Sequence, residues 1–119
     1  MKPYMSMITL GVTDLHRSIR FYQEGLGLHT DGIIGEEFAQ GTVAFFDLQP
    51  GLKLALWPKQ SLAEDSGLPL SVSPTAMSLA HNVLTENEVD DIMQQASLAG
   101  ATVVKSPQKT FWGGYAGNF

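Results

Sequence analysis

Three imidazoles are available for proton transfer or metal ligation near neutral pH: His16, His29 and His81. His81 is the one candidate catalytic residue. It alternates in phase with Leu79 and Val83, and two readings follow. It is a buried histidine held by a hydrogen bond, or, where a bulge turns the strand, an acid or base facing a pocket. His16 sits beside Arg17 and Arg20 and reads as a solvated helix residue. His29 follows Gly25-Leu26-Gly27 and reads as structural, with a place on a rim as the alternative. The chain has no cysteine, which excludes disulfides, thiolate zinc sites and cysteine nucleophiles. There is no nucleophile elbow and no phosphate loop. Gly25-Leu26-Gly27 is too short for a dinucleotide fingerprint and follows a helix, not a strand. Residues 110–115 (Thr-Phe-Trp-Gly-Gly-Tyr) concentrate three of the eleven aromatic residues. Such rings stack on a ligand, plug a core or meet a second chain. Glu86, Glu88, Asp90 and Asp91 read as the solvated start of a helix.

These groups need elements to hold them. In 119 residues one domain is the natural size. Twelve acids against seven scattered Lys and Arg give a net charge of −5, unsuited to neutralising phosphates, so no nucleic-acid partner is expected. No apolar run approaches the roughly 18 residues of a membrane span, and the N-terminus lacks a signal-peptide core. A soluble, cytoplasmic protein with no membrane partner is expected. Residues 5–12 read as a strand, with Ile8, Leu10 and Val12 on one face and Met7, Thr9 and Gly11 on the other. Asp14 reads as a helix N-cap, Leu15, Ile19 and Tyr22 as one helical stripe, and Gly25 as the left-handed end of that helix. Leu28–Ile34 is a weaker strand because Asp31-Gly32 interrupts it. Thr42–Leu48 and Leu52–Trp57 are stronger strands. Residues 60–74, with Gly67, Pro69 and Pro74, read as a linker. The pattern then restarts. Met77–Val83 reads as a strand, Thr85 with Glu88 as a capping box, and Gly100 as a helix end. Ala101–Val104 reads as a strand broken by Pro107, and Tyr115–Phe119 as strand-like.

The order β-α-β-β-β, linker, β-α-β-β is an internal repeat, with Val12 and Val83 lying 71 residues apart. Val12 to Trp57 spans 45 residues, and the same span from Val83 reaches about position 128. The last strand of the second module is therefore expected to be missing. The doubled unit resembles the vicinal oxygen chelate superfamily, which includes glyoxalase I, extradiol dioxygenases and bleomycin resistance proteins. The opening Ile8-Thr9-Leu10-Gly11-Val12-Thr13-Asp14-Leu15, followed by Ser18, Phe21-Tyr22 and Gly25-Leu26-Gly27-Leu28, is similar to that family's first strand and helix. Ala99-Gly100-Ala101 and Phe111-Trp112-Gly113-Gly114-Tyr115 resemble its second half. The resemblance implies an α+β fold of two tandem βαβββ modules, about 4–59 and 75–119, curling as incomplete barrels around a cavity within one domain.

Metal-dependent members of that family carry ligands on the first and last strands of each module. By resemblance those positions fall on Met7, Ala55, Ser78 and a place near position 126. Methionine, alanine and serine are poor ligands for hard divalent ions, so no metal and no other cofactor is expected. Alternation assigns Met7, Thr9, Ala55, Trp57, Ser78 and Asn82 to the cavity side, with Lys53 at its rim. Small residues at Gly11, Ala55, Ser78 and Ala80 leave volume there, or simply pack against one another. Phe111, Trp112 and Tyr115 complete the candidate ligand-binding set. The resulting expectation is metal-free binding of a small organic molecule, as in the bleomycin resistance branch, whose dimers enclose cationic compounds. The alternative is a glyoxalase-like lyase or isomerase of a small oxygenated metabolite. A homodimer is expected in either case.

Overall fold

The computed structural model describes residues 3, 5–70, 79, 81–110 and 113–119. The chain divides into two units, Met1–Val72 and Ser73–Phe119. Both combine helix with sheet, giving an α+β protein. Among the described residues no helix is long and apolar enough to cross a membrane.

The first unit runs β1 (Met7–Val12), α1 (Leu15–Arg20), β2 (Thr30–Ile34), β3 (Val43–Asp47), β4 (Lys53–Pro58) and α2 (Lys59–Ser66). Its sheet has the order β1-β4-β3-β2. β1 and β4 are parallel, and the other neighbours are antiparallel. Asp14 caps α1, as its position suggests: its Oδ1 accepts the Arg17 N–H at 3.0 Å. The helix then widens into a π-helical turn, Phe21–Gly25, closed by the Leu26 N–H donating to the Phe21 carbonyl at 3.0 Å. This corrects the expected helix end. The wider turn carries the chain past Gly25, and Gly27 adopts the left-handed conformation with φ 75°.

α1 covers one sheet face. Leu15 and Ile19 form a core with Ala44, Phe46, Leu54 and Leu56, and Ile8, Leu10, Val12 and Ile33 pack against it. The Tyr22 ring lies 5.1 Å from Phe21 and 5.8 Å from Phe46, and burial pushes its hydroxyl pKa up. β2 keeps its strand despite Asp31-Gly32 by shifting register between Thr30 and Ile33. Gly32 takes φ 91° there and donates its N–H to Thr30 Oγ1 at 3.1 Å.

One expectation for the middle of the chain is corrected, and a second falls in part outside the described residues. The region read as a linker begins with α2, which ends at Gly67 with φ 68°. Residues 79 and 81–83, read as part of a strand, pair with no strand among the described residues. Met77, Ser78 and Ala80 of that expected strand lie outside the described residues.

The second unit contains α3 (Glu86–Leu98), β5 (Lys105–Lys109) and β6 (Tyr115–Asn118), the two strands being antiparallel. β5 falls later than expected and runs through Pro107. The register shifts between Lys105 and Gln108, so the missing proline N–H breaks no regular ladder. Met93 of α3 lies over Gly117, where a Cβ would stand 3.0 Å from its Sδ. Met93 and Ala96 are buried.

The capping box is present. Thr85 Oγ1 accepts the Glu88 N–H at 3.2 Å, and Glu88 Oε2 accepts the Thr85 N–H at 2.8 Å and its hydroxyl at 2.9 Å. These bonds, the Thr85 hydroxyl foremost, hold the Glu88 carboxyl below the usual carboxylate range. A carboxylate with a lowered pKa stabilises the fold at neutral pH and ceases to do so as acid protonates it. Thr85→Ala therefore lowers the Tm by roughly 3–6 °C at neutral pH and by less in acid, once the Glu88 carboxylate is protonated, measured by circular dichroism.

Candidate functional site

The face of the first unit's sheet opposite α1 gathers four of the candidate residues, Met7, Thr9, Ala55 and Trp57. Register fixes its rows, because residues opposite one another across paired strands share a face. Met7 pairs with Lys53, Thr9 with Ala55, and Gly11 with Trp57. On the other side of β4, Asp47 pairs with Lys53 and Phe45 with Ala55. The central row is therefore Thr9–Ala55–Phe45, flanked by Met7–Lys53–Asp47 and Gly11–Trp57. Ala55 is 2% exposed yet stands outside the core cluster, so it forms the floor of this face. Thr9, Phe45 and Trp57 are half-buried around it.

One end of the face is charged. Lys53 Nζ donates to Asp47 Oδ1, and the Asp47 N–H donates to the His29 carbonyl at 3.3 Å. The hydrogen bond from Lys53, and then its charge, lower the Asp47 pKa. Both side chains are largely exposed, so solvent screens the pair.

The other end is closed. Trp57 Nε1 donates to the Gln40 carbonyl at 2.7 Å. Gln40 Nε2 donates to Glu64 Oε2, and Gln60 Nε2 donates to Glu64 Oε1 at 2.7 Å. α2 is thus joined to the β2–β3 loop. The volume expected over Gly11 is filled, since a Cβ there would lie 3.2 Å from Leu62 Cδ2 and 3.2 Å from Lys59 Cγ.

Met7, Thr9, Ala55 and Trp57 are brought together on this face. Asn82 and Tyr115 belong to the second unit, where Asn82 is exposed and the Tyr115 hydroxyl donates to Asp90 Oδ1 at 2.8 Å. That bond raises the Tyr115 pKa and ties β6 to α3. Ser78, Ala80, Phe111 and Trp112 lie outside the described residues. His81 is exposed, which corrects its reading as a buried histidine. His16 and His29 are exposed as well, and His29 Nε2 stands 3.4 Å from Asp31 Oδ1. Phe45 is a site residue the sequence reading missed. Its facing follows from its register with Ala55 and becomes legible only once β3 and β4 are paired.

A divalent ion would need oxygen or nitrogen donors at the first- and last-strand positions. Met7 supplies a thioether and Ala55 a methyl group, and the one carboxylate in these rows, Asp47, is engaged by Lys53. Among the described residues no group of three or more His, Asp or Glu could hold a metal. The donors on this face do not fit a hard cation.

A four-stranded sheet in which the first and last strands lie parallel, with α1 packed on one face, marks a family as well as a fold. The chain belongs to the Glyoxalase/Bleomycin resistance protein/Dioxygenase superfamily, whose model matches residues 4–119. It is similar to a glyoxalase-related enzyme from Fulvimarina pelagi, with 35% identity over 97% of this chain and 78% of that one, at a TM-score of 0.80. Two further structures share the fold. A glyoxalase/bleomycin resistance protein/dioxygenase family enzyme from Burkholderia phytofirmans PsJN is 22% identical over 92% of this chain and 84% of that one, TM-score 0.72. Lactoylglutathione lyase from Agrobacterium tumefaciens is 16% identical over 95% and 81%, TM-score 0.55. No curated protein matches the chain.

Proposed function

We propose that this chain binds a small organic molecule at the face of its first unit's sheet opposite α1, without a metal. The observation that carries the reading is the row Thr9–Ala55–Phe45, in which a buried methyl floor is flanked by a hydroxyl and an aromatic ring. A mostly apolar surface with one or two directional polar groups suits an organic ligand. Trp57 adds a ring edge whose orientation is fixed by Gln40. Lys53 and Asp47 offer a polar end to whatever the ring surface accepts. Action in the cytoplasm as a homodimer belongs to the same reading, and a strictly monomeric mass by light scattering overturns the dimer.

The test is titration of metal-free protein with small aromatic compounds while tryptophan emission is followed. A saturable change that disappears in Trp57→Phe is the expected result. No saturable response to any compound overturns the reading, and stoichiometric zinc, nickel, manganese or iron in purified protein overturns its metal-free part. A second reading, a lyase or isomerase, draws on the name of the Fulvimarina pelagi relative, a glyoxalase-related enzyme. It would need an acid–base group at the ligand; the named rows contain no imidazole, and their two titratable groups, Lys53 and Asp47, are paired with each other.

A further inference from the structure

We propose that the N-terminus of α2 binds a small oxyanion, a carboxylate or a phosphate, between the first backbone N–H groups of the helix, the Ser61 hydroxyl and the Lys59 ammonium. The topology puts this helix end where sheets of this kind hold ligands. β1 and β4 are parallel neighbours, with Val12 beside Pro58 at their carboxyl ends. The helix after β1 packs on the face of Ile8, Leu10 and Val12. The helix after β4 lies on the other face, over Gly11. Two parallel strands whose connections leave on opposite faces form a switch point, and in open sheets ligands bind outside the carboxyl ends of such strands. The site stands beyond the Gly11–Trp57 row and does not use the ring surface proposed above.

α2 begins directly after Pro58, and no side chain caps it. Its first N–H groups, on Lys59, Gln60 and Ser61, have no carbonyl within the helix to bond, and the helix dipole favours negative charge beside them. Ser61 supplies the independent sign of a ligand. It is 9% exposed, and among the described residues nothing bonds to its hydroxyl. Among those residues no side-chain oxygen is both sealed and unpartnered, so the small surface that Ser61 keeps includes its hydroxyl. Cα–Cβ bonds on a helix tilt toward its N-terminus, which leans Ser61, in the third position, toward the same N–H groups. Lys59 adds a positive charge and forms no ion pair among the described residues. The nearby carboxylates are engaged or set back. Asp14 Oδ1 accepts the Arg17 N–H, and Glu64, more than one turn along α2, receives the Gln60 amide. That bond also turns the Gln60 side chain away from the helix start.

The test is titration of isotope-labelled protein with sodium phosphate and with sodium acetate at fixed ionic strength, sodium chloride serving as the reference, while amide resonances are followed. Saturable shifts centred on Lys59, Gln60 and Ser61 are expected, and the tighter of the two anions assigns the class. Ser61→Ala weakens that binding about tenfold, because a hydrogen bond to a charged group is lost. Lys59→Gln weakens it about threefold. Shifts no larger than chloride produces overturn the site. Saturable binding that Ser61→Ala leaves unchanged overturns it equally, since the hydroxyl would then take no part. Thermal melts check the fold of each variant. Should Ser61→Ala not fold, Lys59→Gln carries the comparison, and an affinity unchanged there overturns the proposal.

Discussion

Phe46→Ala lowers the stability of the first unit by about 3–5 kcal/mol, read as a shift of the urea midpoint at unchanged slope. Phe46 is fully buried, at 0% exposure, on the helix-covered face of β3. Its ring touches Tyr22, so truncation removes apolar burial and a ring contact and leaves a void between α1 and the sheet. Set against the roughly 5–15 kcal/mol that holds a typical domain together, this loss leaves little in reserve. Phe46→Leu keeps most of the volume and costs about 1 kcal/mol. A midpoint unchanged by Phe46→Ala would show that this face is not the core.

Gly41→Ala is the second large effect, and it reaches the site. A Cβ at Gly41 would lie 2.7 Å from Phe38 Cβ and closer still to the Gly35 carbonyl oxygen. Gly35 cannot retreat freely, because its φ of 77° already holds the turn and its carbonyl accepts the Phe38 N–H at 3.1 Å. The loop must open, at a cost of about 1–3 kcal/mol. Opening moves Gln40, and with it the carbonyl that receives Trp57 Nε1. The expected signature is a lowered Tm together with red-shifted tryptophan emission, as the indole N–H turns to water. Phe38→Ala is the control: its ring is 66% exposed, and its loss shifts stability by no more than about 0.5 kcal/mol. A Gly41→Ala protein with wild-type emission would show that the loop does not hold the ring.

The sequence made the covered face of the first unit readable because Ile8, Leu10 and Val12 alternate without interruption, and Leu15 and Ile19 stand one helical turn apart. The caps at Asp14 and Thr85 were readable because a carboxylate or hydroxyl three residues before the N–H it accepts is a local device. What escaped was tertiary. α2 offers Leu62 and Ala63 among polar neighbours and shows no stripe; its place depends on a glycine 48–55 residues earlier in the chain. β5 was hidden by Pro107, which a register shift accommodates. Met7, Thr9, Ala55 and Trp57 followed from alternation and do share the face opposite α1. Phe45 and the closure over Gly11 did not follow, since register between strands and the approach of α2 are set by packing at a distance.

The parallel pairing of β1 with β4 also orders events in time. β2, β3 and β4 join through short connections, whereas Thr9 meets Ala55 only after a loop of more than forty residues has closed. Closing a long loop costs entropy before its contacts repay any of it, so such pairings form late. The Thr9–Ala55–Phe45 row straddles that seam. On the ribosome and in refolding, this surface is therefore completed last, after the antiparallel strands beside it have formed.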